Sequence, residues 1–315
     1  MTDNVQCAYT VKRLNAHNLS DLALLHRAVY GFDPPKDYYP KKYDTEYTGV
    51  MHTGFLAYNS NGEAIAYYGV IPCFIEYLGE TALAAQSADT MTHPAHRYKG
   101  MFVELSQLCF ALCRDVGIRL IFGFPNQNSY HGAVNKLGWK MTHSLDYFSI
   151  PVRSIPMQLA FSKIPALKKL FERYSKHVLK KYTADGLAKS SVLLDGFAGL
   201  SRHTAYVRYK TFGGSQMIRM GSSTIWINLK NGLRIGDIDG VDEENFPEII
   251  GGLKSFARRL GIKEISFHCS AGTRLHAIFS RHYRAQPSFA ALFQDFGSSI
   301  VPESVRFTFA DLDIF

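Results

Sequence analysis

Apolar and polar residues alternate along "YTVKRL" (9–14) as in a half-buried strand, and an apolar helical period runs from Ser20, read as its cap, to about Tyr30. Residues 54–59 and 64–77 carry strand patterns on either side of "NSNG", a hairpin signal, and "ETALAAQSADTMT" (80–92) predicts a further strand. From Gly100 the apolar residues Met101, Leu105, Leu108 and Leu112, with Phe102 and Cys109, return at helical spacing. "IRLIFGF" (118–124) predicts a buried strand, "NSYHGAVNKLGW" (128–139) a short helix ending at Gly138, and residues 145–150 a last strand. The order is a β-rich front followed by strand, loop, helix, strand, helix and strand, an α/β (mixed α+β) pattern.

Sliding the chain by 144 residues brings out a second copy without a gap. Gly117-Ile118 falls on Gly261-Ile262, "RLIFGF" on "KEISFH", Ala133 on Ala277, and the helix from Phe102 on one from Phe246. Two lobes are therefore expected: residues 1–152, a connector at 153–205, and a degenerate lobe at 206–315. The offset also exposes a difference, because "HRYKG" (96–100) falls on "GVDEE" (240–244). A cationic turn into one helix becomes an anionic turn into the other, and Asp242, Glu243 and Glu244 are expected to cap their own helix.

That cationic turn changes the chemical picture. Gly in a first helical turn costs up to ~1 kcal/mol relative to Ala, so Gly100 in "THPAHRYKGMF" predicts close approach of a ligand to backbone. A helix N-terminus carries free N–H groups and roughly half a positive charge, and Arg97 and Lys99 beside it favour phosphate. The net charge of +8, from 35 Lys and Arg against 27 Asp and Glu, also favours anionic ligands. The five Cys (Cys7, Cys73, Cys109, Cys113, Cys269) are odd in number and lack metal spacing, so they read as reduced thiols, and no metal is expected. "MTDNVQCAYTVKRL" has no apolar leader and no run approaches the ~18 apolar residues of a membrane span, which predicts a cytoplasmic protein, monomeric or homodimeric.

With Pro94, the run Arg97-Tyr98-Lys99-Gly100 and then Met101 and Phe102, the chain resembles the GCN5-related N-acetyltransferases, the GNAT superfamily. Their motif leads from a splayed strand through Arg/Gln-x-x-Gly-x-Gly/Ala into a helix whose amides hold the pyrophosphate of acyl-coenzyme A. The resemblance implies two lobes, each a mixed, splayed sheet flanked by helices, and acyl-CoA as co-substrate. It departs at Phe102, where the family prefers a small residue, and at Val134, where the family often has Tyr. Tyr130, one turn earlier, is the substitute. Met91, Thr92, Arg97, Tyr98, Lys99, Gly100, Met101, Phe102, Asn126 and Ser129 are the implied cofactor contacts.

The implied chemistry is aminolysis of a thioester, which needs a proton acceptor for the amine and an acid for the departing thiolate. Asp89, on the strand before the loop, is a candidate base, or else a structural carboxylate paired with a nearby cation. Tyr130 is the candidate acid, or a core aromatic. His93, His96 and His131 surround the proposed thioester, His131 being the best placed beside Tyr130. In "GDID", Asp237 and Asp239 share a strand face and are candidate contacts for a substrate ammonium or a metal, or else cap the next helix. Residues near Arg202 to Lys210 are further acceptor candidates.

Tandem lobes resemble enzymes that acylate nucleotide-linked amino sugars for surface polysaccharide, and Fem-like transferases that use aminoacyl-tRNA; the phosphate loop favours the first. The acceptor is expected in a cleft that the second lobe walls. An acetyltransferase for a peptide or drug amine is a further reading, and a non-catalytic membrane- or RNA-binding module is a reading of another class. For the last, residues 153–189 hold nine Lys and Arg against Glu172 and Asp185. Leu167, Leu170, Phe171, Tyr174, Val178 and Tyr182 form an apolar stripe expected to pack on a lobe, leaving Lys168, Lys169, Arg173, Lys176, Lys180 and Lys181 solvated or free to meet lipid or RNA.

Overall fold

The structure, a computed structural model, describes residues 9–155, 161, 165–184 and 189–315. Cys7, Asp185 and the side chains of Lys168 and Glu172 lie outside the described residues. In chain order the first elements are β1 (Tyr9–Arg13), α1 (Leu19–Tyr30), α2 (Tyr38–Lys42), β2 (Gly54–Asn59), β3 (Ala64–Tyr77) and β4 (Glu80–Thr92). Then come α3 (Met101–Asp115), β5 (Leu120–Gly123), α4 (Gln127–Leu137) and β6 (Lys140–Pro151).

Two compact units make up the chain, and neither is continuous in sequence. The first contains the described residues up to Ile75, then Thr81–Thr142 and Ala291–Pro302. Its strands follow the order β1-β2-β3-β4-β5, and β5 pairs antiparallel with Leu292–Asp295 of the strand Gln286–Asp295. The hairpin between β2 and β3 forms as the pattern predicts, because the Asn59 side chain accepts from the amides of Asn61 and Glu63 and folds the turn. Ser20 is not the cap of α1. The helix starts at Leu19, and Asn18 at the cap position ties down the incoming loop, accepting from the Asn15 amide and donating to the Arg13 carbonyl. The apolar run at 118–124 gives only four strand residues, since the Ile118 amide is already bonded to Cys113 at the end of α3.

The second unit holds Glu76–Glu80, His143–Ala290 and Glu303–Phe315, as far as these are described. Its strands run from β6 to Glu264–Ser270, Leu233–Asp239, Ser223–Asn228 and Gln216–Met220. The helix Phe246–Arg259 turns Phe246, Ile249, Ile250, Leu253, Phe256 and Ala257 inward at 3.6-residue spacing. They join Phe148, Phe267 and Phe279 in one apolar core.

Adding 144 to α3, β5, α4 and β6 gives 245–259, 264–267, 271–281 and 284–295. The observed elements are Phe246–Arg259, Glu264–Ser270, Arg274–His282 and Gln286–Asp295. The expected boundary at 152 is displaced: from His143 onward β6 belongs to the second unit, and residues 291–302 belong to the first. These two strands occupy equivalent places in the repeated pattern, and each completes a ladder in the other half of the sequence: β6 with Glu264–Ser270, Leu292–Asp295 with β5. The expected boundary at 206 vanishes as well, because residues 189–205 lie within the second unit.

Two histidines of the second unit, His143 half-buried and His268 buried, make it sensitive to acid. His143 Nε2 lies 2.9 Å from Ser270 Oγ with its ring stacked on Phe307, and burial, aided by Arg306, lowers its pKa to about 4. His268, against Tyr147 and Phe309, is lowered to about 4 by burial and Arg234. The unfolded chain takes up these protons as pH falls through about 6.5, whereas the folded chain resists until about 4. Stability is therefore lost in that window, by on the order of 2–3 kcal/mol per residue. Urea midpoints at pH 7 and pH 4.5 should differ less in a His143→Gln/His268→Gln variant than in the parent; an unchanged pH slope contradicts this.

Candidate active site

The cationic loop leaves β4 through a short 3-10 turn, Pro94–His96, whose cap is His93: its Nδ1 accepts from the Ala95 amide. His93 is thus held by the turn and is not a free base. His96 packs edge-on against His93, and partial desolvation with Lys99 nearby lowers its pKa. After extended Arg97, Tyr98 takes φ 65° and Gly100 φ 80°, both left-handed, before α3 begins at Met101. No side chain caps α3; the Val103 and Glu104 amides bond back to the Gly100 carbonyl, which leaves the amides of Met101 and Phe102 to face outward. Arg97, Tyr98 and Lys99 are exposed.

A Cβ built at Gly100 would meet nothing within 4 Å. The glycine is therefore required by its φ, a conformation costing other residues about 1–2 kcal/mol, and the open space beside it leaves the amides reachable. Open amides, a helix N-terminus and two cations fit the pyrophosphate of acyl-CoA. Met101 contributes only backbone to such a site, since its side chain is buried. Glu104, one turn further on, is held by the Tyr9 hydroxyl.

β4 pairs with β5 only from Ala84 to Ser87, where β5 ends at Gly123 and the chain turns into α4. Residues 88–92 run past that partner, while the following His93 amide still bonds to Ile65 of β3. This is the splay that the resemblance implies. Met91 keeps its side chain buried and Thr92 is half-buried, so here too the backbone is the part a ligand can reach.

Asp89 sits on this free stretch with φ 54°, a conformation that Asp tolerates better than most residues. Its Oδ1 and Oδ2 lie 2.9 and 2.8 Å from Lys42 Nζ, and the Tyr43 hydroxyl donates to Oδ2 at 2.9 Å. The Lys42 side chain is only 1% exposed and the Asp89 side chain 17%. Both carboxylate oxygens are committed to donors, so Asp89 is the counter-charge of a buried lysine rather than a base waiting for an amine. Lys42 and Tyr43, at the end of α2, are site residues that the sequence reading missed; "YYPKKY" had no motif to mark them.

In α4 the Asn126 side chain accepts from the amides of Asn128 and Ser129, and the Ser129 hydroxyl returns to Asn126. Asn126 is the cap of α4, and Ser129 is bound up in the same turn. Tyr130 is half-buried, its hydroxyl 3.5 Å from Met141 Sδ, and the exposed His131 ring stands edge-on to it at 6.0 Å. Phe102 packs against Tyr68, and a Cβ at Gly132 would come within 3.0 Å of its ring. The large residue on α3 is matched by a missing side chain on α4. Gly132→Val should therefore cost about 1–3 kcal/mol, and Phe102→Ala in the same chain should recover part of it. Chemical denaturation of the three variants checks this, and strictly additive losses contradict the pairing.

The candidates in the second unit are structural. Asp237 is fully buried, paired with Arg202 and bonded to the Ser191 and Ile238 amides; burial raises its pKa while Arg202 opposes the rise. Arg202 also bonds Asp311 and lies over Trp226. Asp237 therefore cannot receive a substrate, and Asp239 accepts from the Lys189 amide at 3.3 Å. Buried Lys210 donates to the Leu312 carbonyl. Around the anionic loop, Asp242 and Asn245 exchange side-chain-to-amide bonds, and Glu243 pairs with Arg281. The acids thus brace their turn and a neighbouring helix rather than capping directly, and no side chain caps the helix itself. Among the described residues no group of three His, Cys, Asp or Glu could hold a metal ion, and no helix is long and apolar enough to cross a membrane.

A family model described as an acetyltransferase (GNAT) domain matches residues 10–142. Residues 10–142 are thus similar to a GNAT acetyltransferase domain. That match supports an acyl-CoA-dependent N-acyltransferase, the activity that the loop and splayed strand lead one to expect. No curated protein matches the sequence. Solved GNAT structures share the fold along nearly all of the chain. That of a GCN5-related N-acetyltransferase from Kribbella flavida has a TM-score of 0.60 at 11% identity, covering 91% of this chain and 71% of its own. One from Anabaena variabilis has a TM-score of 0.54 at 13% identity, covering 92% and 73%. One from Sphaerobacter thermophilus has a TM-score of 0.52 at 13% identity, covering 95% and 99%.

Proposed function

We propose that this acyltransferase acts on the amine of a nucleotide-linked amino sugar destined for surface polysaccharide, with the acyl-CoA pyrophosphate held at residues 97–102. The carrying observation is the left-handed, cationic loop that opens onto the uncapped start of α3. We read the second unit as a degenerate copy of the first, supported by the four elements that recur at a spacing of 144 residues. Its loop is braced by its own acids, Asp242 with Asn245 and Glu243 with Arg281. The net charge of +8 favours an acceptor that carries phosphate, as a nucleotide sugar does and a simple drug amine does not.

In this reading Tyr130 protonates the departing thiolate, and His131, exposed beside it, takes the proton of the amine. Met91 and Thr92 offer backbone amides to the acyl end. The test is mass spectrometry of amino sugars, their nucleotide-linked forms, peptides and aminoglycosides incubated with several acyl-CoAs. Acylation of the nucleotide-linked sugars well above the free sugars supports the reading. Preferential acylation of peptides or aminoglycosides, with nucleotide sugars untouched, refutes it.

A further inference from the structure

We propose that the helix Pro165–Lys180 docks the enzyme on an anionic lipid surface. The apolar stripe of this helix does not all go inward. Val178 is buried, but Leu170 is 63% and Tyr174 43% exposed. At 100° per residue, Lys176, Lys169, Lys180 and Arg173 lie within one 60° sector, and Leu170 and Tyr174 follow on its flank. All four cations are exposed.

The outward face is thus cationic along its centre, with Leu170 about 60° and Tyr174 about 100° around the helix from Arg173. The Tyr174 hydroxyl donates to the Arg259 carbonyl, which holds the ring at the rim of the unit. Cations over an anionic headgroup layer, with a leucine entering the acyl boundary and an aromatic at headgroup depth, are the parts of an interfacial helix. A nucleic acid would use the same cations but has no use for Leu170, and that difference selects lipid as the occupant. The proposal does not depend on which amine the enzyme acylates.

Co-sedimentation with vesicles tests it, using the whole chain and its Lys169→Glu/Arg173→Glu/Lys176→Glu and Leu170→Asp variants. Vesicles of phosphatidylcholine with about 30% phosphatidylglycerol should bind the parent at least ~50-fold more strongly than phosphatidylcholine alone, and salt should release it. The charge-reversal variant should fall to the neutral-vesicle level and Leu170→Asp should lose about tenfold, both with unchanged melting and acetyl-CoA affinity. Equal binding to the two vesicle types overturns the proposal. So does full vesicle binding by Leu170→Asp, or a gel shift on RNA that the charge reversal abolishes and Leu170→Asp leaves intact without any vesicle binding.

Discussion

Gly100→Asp should lower acetyl-CoA affinity by at least ~100-fold while leaving the protein folded. Two effects add. A residue other than glycine pays about 1–2 kcal/mol at φ 80°, an upper figure for Asp, which tolerates this region. The new carboxylate would also stand among the uncapped amides of α3, occupying the donors and repelling the phosphates they receive. Because a Cβ there meets no protein atom within 4 Å, the fold should lose no more than that backbone strain. Calorimetry and thermal melting separate the two outcomes. Wild-type affinity in a folded Gly100→Asp protein would remove the phosphate site from this loop, and Gly100→Ala should fall between the two.

Asp89→Asn should destabilise the first unit by about 3 kcal/mol, because it strands the Lys42 ammonium in a site where its side chain is 1% exposed. Asn keeps the tolerance for the left-handed backbone, so the loss reports the charge and not the φ. Lys42→Met should cost a comparable amount, and the Lys42→Met/Asp89→Asn double variant should be more stable than the sum of the single losses by at least ~1 kcal/mol. Denaturant titration measures all three. The outcome that contradicts this account is an Asp89→Asn protein as stable as the parent with a collapsed kcat, the signature of a catalytic base.

What could be read from the chain alone was whatever repeats locally. The alternation in β2 and β3, the turn residues Asn59 and Gly62, and the apolar period of α3 each act within a few residues of themselves, and those elements formed as expected. The cationic loop was legible for the same reason, although the sequence suggested a glycine making room when the backbone needed its φ. Pairings made across long separations were not legible. Lys42 and Asp89 stand 47 residues apart, Arg202 and Asp237 35 apart, and nothing in the local pattern of "DID" distinguishes a buried counter-charge from a ligand contact. Strand ownership was hidden likewise: β6 and Gln286–Asp295 carry equivalent patterns, and only the ladders show which unit each completes. Phe102 read as a departure from the family motif because its compensation, Gly132, lies on another helix.

If the charge reversal between the two loops sets where phosphate can bind, the chain should bind a single acyl-CoA molecule. In the first, Arg97 and Lys99 flank the outward amides of Met101 and Phe102; in the second, Asp242 with Asn245 and Glu243 with Arg281 brace the turn. Titration calorimetry of acetyl-CoA into the wild-type protein tests this directly. The account predicts one molecule per chain, with stoichiometry and affinity nearly unchanged when Asp242, Glu243 and Glu244 are made neutral. Two molecules per chain, or no binding at all at millimolar acetyl-CoA, would contradict it.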